Sequence, residues 1–464
     1  MIKKYISDRG SITPALLVIT GAFIIVIYGL LILLSVQLDL SNRQIANEKA
    51  LHIADAGINY YLWHLTEDSA DFQDDTGGPG PYVHEHTDSE GNVVGSYSLV
   101  ITPGEGSTSV TIESTGYTSE YPNLKRTIEA RYGMTSLTNY AVMQNGNLWF
   151  GDKVTLNGPI FSNGGIRQDG VNTSTVKSAK ETYTCGIETG CIEPTEKPGV
   201  WGKGELSELW EYPVSTIDFD SITINFSQMR ADSLTSGLYL GPSEEQGYHL
   251  VFNSDGTVSV SKVTTTDFFK AYSYEYECVN LYEVINGEEY IGDYPIDENG
   301  IIFVEDDLWI DGVLNGKTTI VAARFPVDTD NADIFITDNL TYLDKSGDHT
   351  LGTISQRDII FGRDVPDFFE VNGALLAQKG RIMRHHYGYF KCKSPGGDKL
   401  KKEFNFFGST ISSQTSYWNF SGGPQVPAAG FQETIFNYDT SLTNNPPDYF
   451  PEHGYLELTS WEEK

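Results

Sequence analysis

The sequence predicts a mainly β protein that begins with one long α-helix. Three features predict this fold class: a long uncharged apolar run near the N-terminus, alternating apolar and polar side chains after it, and short strand-like cassettes that return through the second half. The chain has 464 residues, including 46 Gly and 27 Tyr, a composition typical of short strands and frequent turns. We therefore expect a helix, then a small sheet, then a large β region.

The charge of the chain excludes some partners. Lys and Arg number 31 against 63 Asp and Glu, which gives a formal net charge of −32 at pH 7. Nucleic acid and anionic lipid headgroups are therefore poor partners for most of the molecule. A well-solvated surface is the simplest meaning of this acidity, with calcium or a cationic partner as the alternatives.

The apolar run predicts a membrane anchor. Residues 15–36 read ALLVITGAFIIVIYGLLILLSV, which as a helix is long enough to cross a hydrocarbon core of about 30 Å. Residues 1–10 form a basic leader, so the positive-inside rule places them in the cytoplasm and the chain after residue 38 outside. A secretory signal peptide is the rival interpretation, but no small-residue cleavage site follows the run.

The helix is expected to continue well beyond the membrane part. No proline interrupts residues 15–78, and apolar side chains follow at spacings of three and four: Leu51, Ala54, Ile58, Tyr61 or Leu62, and Leu65. We therefore predict one helix over residues 11–68, with an apolar stripe on its second half.

These N-terminal residues carry a family resemblance. The leader MIKKYISDRG, the run SITPALLVITG and the stretch IADAGI at 53–58 together resemble the type IV pilin superfamily, above all minor pilins and pseudopilins. The resemblance implies that prepilin peptidase cuts after Gly10 and leaves Ser11 as the new N-terminus. Ser11 and Ala15 stand where major pilins usually have Phe and Glu. That difference favours a minor or tip subunit, or an unprocessed membrane anchor.

Residues 69–135 predict a small pilin-like β head. Three alternating runs joined by Gly-containing turns indicate an antiparallel sheet, against which the apolar stripe of the helix can pack. The preceding loop contains His84, Glu85, His86 and Asp88, which are typical metal ligands. On a strand His84, His86 and Asp88 share one face while Glu85 points away, and no second shell supports them, so we interpret the segment as an exposed loop.

Residues 136–464 predict a β-solenoid. Short cassettes such as DDLWIDGVLNG and ADIFITDNLTYL start about twenty residues apart, and each is too small to bury its own apolar side chains. Asn-Gly pairs at 157–158, 315–316 and 372–373 predict sharp corners. A right-handed parallel β-helix is favoured, with a β-sandwich of hairpins as the alternative. Residues 176–300 are interpreted as an inserted subdomain, with a helical patch near GELSELWEY.

Few residues predict chemistry. Cys185 and Cys191 bracket a short turn, so a local disulfide is plausible, although spacing cannot fix the pairing of four cysteines. Asp328, Asp330 and Asp333 offer carboxylates for a partial match to a calcium loop.

Other chemistries find little support in the sequence. Asp307 and Asp311 lie four apart on one strand face, as a glycosidase pair can, but acidic residues are dense throughout the chain. We predict no catalytic residue and no cofactor other than calcium.

Two functional hypotheses follow from the sequence. The favoured one is a membrane-anchored structural or adhesive surface subunit of a type IV pilus-like or type II secretion-like system. Its expected partners are the cytoplasmic membrane through residues 15–36, other pilin-like subunits, and a glycan or cell-surface ligand. The alternative is a membrane-tethered enzyme that acts on polysaccharides from a β-helix scaffold, and fold alone does not decide between them.

Overall fold

The chain forms two compact units with separate cores. A computed structural model describes residues 12–67, 71–103, 109–219, 225–296, 300–327, 330–394, 399–421, 427–443 and 445–464. Unit 1 contains the residues up to Met134 together with Tyr455–Lys464, and unit 2 contains Thr135–Gly454. The predicted mainly β chain with one long N-terminal helix is confirmed.

The described residues contain two α-helices and a series of mostly short strands. The helices are α1 (Ile12–Glu67) and α2 (Phe226–Ser236). The strands of the first half are β1 (Tyr82–Thr87), β2 (Val93–Pro103), β3 (Ser109–Thr118), β4 (Lys125–Ser136), β5 (Val142–Gln144), β6 (Leu148–Phe150), β7 (Val154–Asn157), β8 (Ile160–Ser162), β9 (Ile166–Gln168), β10 (Val171–Asn172), β11 (Val176–Ser178), β12 (Thr182–Cys185), β13 (Thr195–Pro198), β14 (Val200–Trp201) and β15 (Trp210–Glu211). The strands of the second half are β16 (Leu238–Leu240), β17 (Gly247–Asn253), β18 (Thr257–Ser273), β19 (Glu277–Pro295), β20 (Gly300–Val304), β21 (Leu308–Leu314), β22 (Lys317–Ala322), β23 (Ile334–Tyr342), β24 (Thr350–Ser355), β25 (Ile359–Phe361), β26 (Phe368–Ala377), β27 (Ile382–Met383), β28 (Leu400–Ser412), β29 (Phe420–Ser421), β30 (Pro427–Asn437) and β31 (Glu452–Glu463).

Unit 1 packs the second half of α1 on an antiparallel sheet. The sheet has the order β1-β2-β3-β4-β31, so the C-terminal strand of the chain completes it beside β4. Ile53, Ile58 and Tyr61 of the helix are buried in one cluster with Leu99 and Ile112 of the sheet. This packing buries the apolar stripe that the spacing of three and four predicts.

Two glycines let the helix and the sheet approach closely. A Cβ atom at Gly116 would lie 2.3 Å from the carbonyl oxygen of Ala50 and 2.4 Å from the amide nitrogen of Ala54. At Gly57 of the helix, a Cβ atom would lie 2.3 Å from Oγ of Ser114. Gly57, which by helix propensity is a weak point, is therefore a contact point between α1 and β3.

Unit 2 consists mainly of parallel strands that stack in register from one cassette to the next. One ladder runs β16-β20-β22-β24-β26-β28-β5-β8-β11-β15, and a second runs β17-β21-β23-β25-β27. A third runs β26-β28-β30-β7-β10. Antiparallel pairing in this unit occurs in the β17-β18-β19 hairpins, in β12-β13 and β29-β30, and at an isolated bridge between Tyr272 and His386.

The order of the strands in the stack differs from their order in the sequence. The first cassette of the unit contains β5, which pairs with β28 through Val142 and Thr410, so it lies beyond the last cassettes and not before them. The chain then passes through α2 to the other end of the ladders. The predicted helical patch near GELSELWEY is wrong, because that segment has one 3-10 turn, Ser207–Leu209, and then a short strand.

The core of unit 2 follows the alternation of each cassette. Leu308, Ile334 and Ile359 are register partners on successive strands, and all three are fully buried. At one of the predicted corners, Gly373 has φ +141° and pairs with Gly408 at φ +147°. A Cβ atom at Gly408 would lie 1.9 Å from the carbonyl oxygen of Gly373, so this corner requires glycine.

Candidate functional site

The first half of α1 presents apolar side chains to the surroundings on every side. From Leu16 to Leu40 every side chain is exposed, whereas the second half of the helix has a buried face from Ala46 onward. Its most apolar 18-residue stretch has a mean hydropathy of 2.9 and contains no buried residue. By length and composition the helix can cross a membrane. A helix that is apolar all round is stable where lipid or protein surrounds it, and not in water.

Unit 2 carries a column of aspartates at one corner of successive cassettes. Asp307, Asp333 and Asp358 each precede the first residue of a parallel strand, so the register stacks them. The amide of Asp333 donates to the carboxylate of Asp307 at 2.9 Å, and the amide of Asp358 donates to Asp333 at 3.1 Å. The amide of Arg381 continues the column by donating to Asp358 at 2.8 Å. We call these three aspartates the aspartate column.

Arginines neutralise much of this column. Nη2 of Arg324 lies 2.7 Å from a carboxylate oxygen of Asp306 and 3.0 Å from one of Asp307. Arg357 contacts Asp333 through both ends of its guanidinium, with Nε donating at 2.8 Å. Such two-pronged contacts fix the geometry of both groups. The hydrogen bonds that Arg357 donates to Asp333 also raise the pKa of Arg357 above its ordinary value.

The environment separates the pKa values of neighbouring carboxyls. Burial raises the pKa of Asp307 to about 7, and the carboxylate of Asp333 adds to the rise. Burial and Asp333 likewise raise the pKa of Asp358 to about 6. Burial alone would raise the pKa of Asp306, but hydrogen bonds from Ser243 and Arg324 outweigh it and lower that pKa. One protonated and one ionised carboxyl side by side is an arrangement that acid–base chemistry can use.

The predicted calcium loop is only partly described by the structure. Asp328 lies outside the described residues. Asp330 is exposed, and its carboxylate lies 3.5 Å from Nη1 of Arg324. Asp333 is buried in the aspartate column and contacts Arg357. Both aspartates therefore have arginine partners, and calcium binding there stays a prediction.

The other predicted residues have separate surroundings. Gly10 and Ser11 lie outside the described residues. Cys185 and Cys191 form a disulfide, and a second disulfide joins two cysteines 114 positions apart in the sequence. Asp311 and Asp307 have different partners. The carboxylate of Asp311 lies 2.9 Å from Nε2 of His249, whereas that of Asp307 contacts Arg324.

His249 sits between two carboxylates. Its Nδ1 lies 2.9 Å from Glu288, while its Nε2 contacts Asp311. Burial alone would lower the pKa of His249, but the two carboxylates outweigh it and raise that pKa. This side chain therefore ties β17 to β19 and β21 through charge.

In unit 1 the segment of the predicted loop contains a strand. The alternation of Tyr82–Thr87 forms β1, which pairs with β2, and Nε2 of His84 contacts Asp74 at 2.6 Å. Among the described residues, a group of ligand types close enough to hold a metal is instead His64, Asp71 and Asp75, with 2.9 Å between Nε2 of His64 and Asp71. Backbone hydrogen bonds from Gln73 and Asp75 lower the pKa of Asp71.

The aspartate column has a sequence signal that the cassette pattern alone does not stress. Asp307, Asp333 and Asp358 are each followed by an apolar triplet: LWI, IFI and IIF. Aligning the cassettes on this signal stacks the three carboxyls. The arginine partners lie in the loops between strands, where no periodicity predicts their position.

Comparisons with known proteins show a remote likeness to a solved structure. No protein-family model matches the chain, and no curated protein sequence is significantly similar to it. Among solved structures, the competence-associated pilin ComZ from Thermus thermophilus aligns over 90% of this chain and 98% of its own, with 14% sequence identity and a TM-score of 0.29. So low a TM-score carries no argument about fold or function.

Proposed function

We propose that the protein is a single-pass, membrane-anchored structural subunit of a type IV pilus-like or type II secretion-like system, with both units outside the cytoplasmic membrane. One observation supports it above all: α1 is exposed and apolar in its first half and packed on an antiparallel sheet in its second half. Lipid or neighbouring subunits can cover the first half, while the sheet already covers the second. The sequence resemblance to minor pilins supports the same roles for the two halves of α1.

Membrane retention tests the anchor. Replacing Ile25 and Leu30 with Arg places two charges within the apolar segment, at a cost of about 2.5–3.5 kcal/mol each. We expect the variant to leave carbonate-washed membranes, where the wild-type protein remains. A matched variant with Leu40→Arg and Ile45→Arg adds the same charge on exposed positions beyond residue 36, and we expect it to stay bound. Equal retention of both variants would argue against the anchor.

Topology and processing are parts of the same proposal. Protease added to intact spheroplasts should degrade the chain after residue 69 and spare residues 1–10. Cleavage by prepilin peptidase after Gly10 should give a mature protein that starts at Ser11, which mass spectrometry of the N-terminus measures. A chain that starts at Met1 in cells with an active peptidase would leave a plain anchor.

We also propose that unit 2 is a β-helix that binds or spaces at the cell surface and does not catalyse. The in-register parallel ladders support the β-helix, because each cassette buries its apolar side chains only against its neighbours. A long polar outer face suits contact with a glycan or a partner surface. Calcium bound by Asp328, Asp330 and Asp333 belongs to the same proposal.

A second candidate function is a membrane-tethered enzyme that acts on polysaccharides. The observation that favours it is the pair of adjacent carboxyls, Asp306 with a lowered pKa and Asp307 with a pKa of about 7. The same carboxyls are also the anchors of Arg324, a structural use that needs no substrate. Incubation of the full-length protein with acidic and neutral polysaccharides distinguishes the two. New reducing or unsaturated ends that Asp307→Asn abolishes would support the enzyme.

A further inference from the structure

An open cleft lies beside the disulfide Cys185–Cys191 in unit 2. Its volume is about 580 Å³, and Arg167, Lys197, Trp201 and Glu193 are among the residues that line it. Small-molecule sites commonly have volumes of this order, with a few fixed polar groups on an apolar wall. The cleft is separate from the aspartate column in the sequence and shares none of its residues.

The wall of the cleft is a rigid stack of rings and cations. The guanidinium of Arg167 lies 4.6 Å from the ring centre of Trp149 and 4.9 Å from that of Trp201. Nε of Arg167 donates to Asp169 at 2.7 Å, and Trp149 donates to the same carboxylate at 3.0 Å. The indole N–H of Trp201 donates to the hydroxyl of Tyr183 at 2.8 Å. These bonds hold the guanidinium and both indoles in one geometry before any ligand arrives.

Two donors of this wall have no hydrogen-bond acceptor or ion-pair partner in the described part of the chain. Nη1 of Arg167 donates to the carbonyls of Thr189 and Gly190, both at 3.1 Å, but Nη2 makes no hydrogen bond to a described residue. Nζ of Lys197 lies 4.7 Å from the ring centre of Trp201 and forms no ion pair with any described carboxylate. In a chain with 63 acidic and 31 basic residues, a lysine that has no ion pair and contacts the same indole as a fixed arginine is a place for an external anion.

We propose that this cleft binds a uronic acid unit of an acidic polysaccharide. The planar carboxylate of the sugar accepts hydrogen bonds from Nη2 of Arg167 and Nζ of Lys197. The carboxylate of Glu193, in the same wall, accepts hydrogen bonds from sugar hydroxyls. An acidic peptide would bring further carboxylates toward Glu193, whereas a uronic acid brings hydroxyl donors together with its acid. The inference deepens the adhesive part of the proposed function and rests on it for placing the cleft outside the cell.

Calorimetry on the full-length protein in detergent micelles tests the proposal. The probe is a linear tetramer of galacturonic acid, and its carboxyl-reduced galactose counterpart is the neutral comparison. We expect the acidic tetramer to bind at least about tenfold more tightly, because its carboxylates accept charge-assisted hydrogen bonds that the neutral tetramer cannot form. Affinity should fall as salt is added, since the contact is ionic.

A matched pair of lysine variants locates the site. Lys197→Gln should weaken binding of the acidic tetramer about tenfold. Lys203→Gln removes the same charge from an exposed lysine that pairs with Asp152 at 3.5 Å and does not line the cleft, and it should change the dissociation constant less than about twofold. Arg167→Lys keeps the charge but loses the planar fork, so it should also weaken binding; if that variant fails to fold, the lysine pair still decides.

Three results would overturn the proposal: no binding of the acidic tetramer, equal binding of the neutral one, or an unchanged affinity in the Lys197→Gln variant. A polyglutamate peptide that binds as tightly as the tetramer would replace the glycan by an acidic protein partner. None of these outcomes affects the membrane-retention test, so failure of the cleft and failure of the anchor are distinguishable.

Discussion

Glu283 in β19 makes the stability of unit 2 depend on pH. The side chain is fully buried, and one carboxylate oxygen accepts hydrogen bonds from the hydroxyl of Tyr387 at 2.5 Å and from the amide of Arg363 at 2.8 Å. The other oxygen has no hydrogen-bond partner in the described part of the chain. Burial raises the pKa of Glu283 to about 7, even though these hydrogen bonds oppose the rise.

The magnitude follows from the difference between the folded and unfolded pKa values. An unfolded Glu titrates near 4.5, and the folded group near 7. Below pH 4.5 the carboxyl is protonated in both states and no pH-dependent cost arises. Between pH 4.5 and 7 the unfolded chain releases the proton that the folded chain holds, so the free energy of unfolding falls as the pH rises. Above pH 7 the accumulated loss is about 3 kcal/mol.

His385 acts in the opposite direction, so the wild-type curve alone does not isolate Glu283. Burial lowers the pKa of this histidine to about 4, and the unfolded imidazole titrates near 6.5. The unfolded state therefore binds the extra proton between pH 4 and 6.5, and His385 makes the free energy of unfolding rise with pH in that window. The two slopes overlap, and only a comparison with a variant separates them.

Glu283→Gln provides that comparison. The amide oxygen can keep the bonds from Tyr387 and Arg363, and the group no longer ionises. We expect the variant to be about 3 kcal/mol more stable, relative to wild type, at pH 8 than at pH 4.5. Denaturant unfolding of the full-length protein in micelles, followed by tryptophan fluorescence at several pH values, measures this difference. Glu289→Gln, an exposed residue of the same strand, is the control. Wild-type and Glu283→Gln curves that stay parallel from pH 4.5 to 8 would refute the argument.

Two further predictions concern stability. Replacing both Cys278 and Cys392 with Ser should lower the free energy of unfolding of unit 2 by about 5 kcal/mol, whereas removing the disulfide Cys185–Cys191 should lower it by about 2 kcal/mol. The difference follows from the loops that the two disulfides close, whose ends are 114 and 6 residues apart in the sequence. Denaturant unfolding compares the two variants, and equal losses would contradict the loop-entropy argument. Gly116→Ala should destabilise unit 1 by about 2 kcal/mol, because the added methyl group clashes with the backbone at Ala50. Gly29→Ala is the control and should not change the stability, because nothing lies within 4 Å of its Cβ position. Thermal unfolding measures both variants, and an unchanged stability of Gly116→Ala would show that α1 can shift away from β3.

The features that could be predicted from the sequence are those that a local period encodes. The spacing of three and four at Ala54, Ile58, Tyr61 and Leu65 predicts one apolar face of a helix, and these residues pack against the sheet of unit 1. The alternation in the cassettes predicts buried positions such as Ile310 in the same way. Each prediction needs only the direction of side chains along one element.

Features that depend on distant contacts could not be predicted. The pairing of β5 with β28 joins residues almost three hundred positions apart, and backbone hydrogen bonds between strands carry no side-chain signal. The arginines of the aspartate column lie in loops, so their contacts with the carboxylates follow from the stacking and not from spacing. Helix α2 is short, and the residue that marks its start in the sequence is Asn225. The side chain of Asn225 caps the helix by accepting a hydrogen bond from the amide of Gln228.

Where β5 pairs with β28, a buried glutamine accepts a backbone amide, as another glutamine does elsewhere in the stack. Where β24 ends, the buried side chain of Gln356 accepts the amides of Arg324 and Ala332 at 2.9 and 3.1 Å and fills the turn between two strands. Where β5 ends, the buried side chain of Gln144 accepts the amide of Ser416, from the far end of the sequence, at 2.9 Å. A buried glutamine side chain thus accepts backbone amides both within the stack, at Gln356, and where β28 and β5 meet, at Gln144. Because a buried backbone amide left without a partner costs about 1–3 kcal/mol, the side chain of Gln144 helps to hold the two distant segments together.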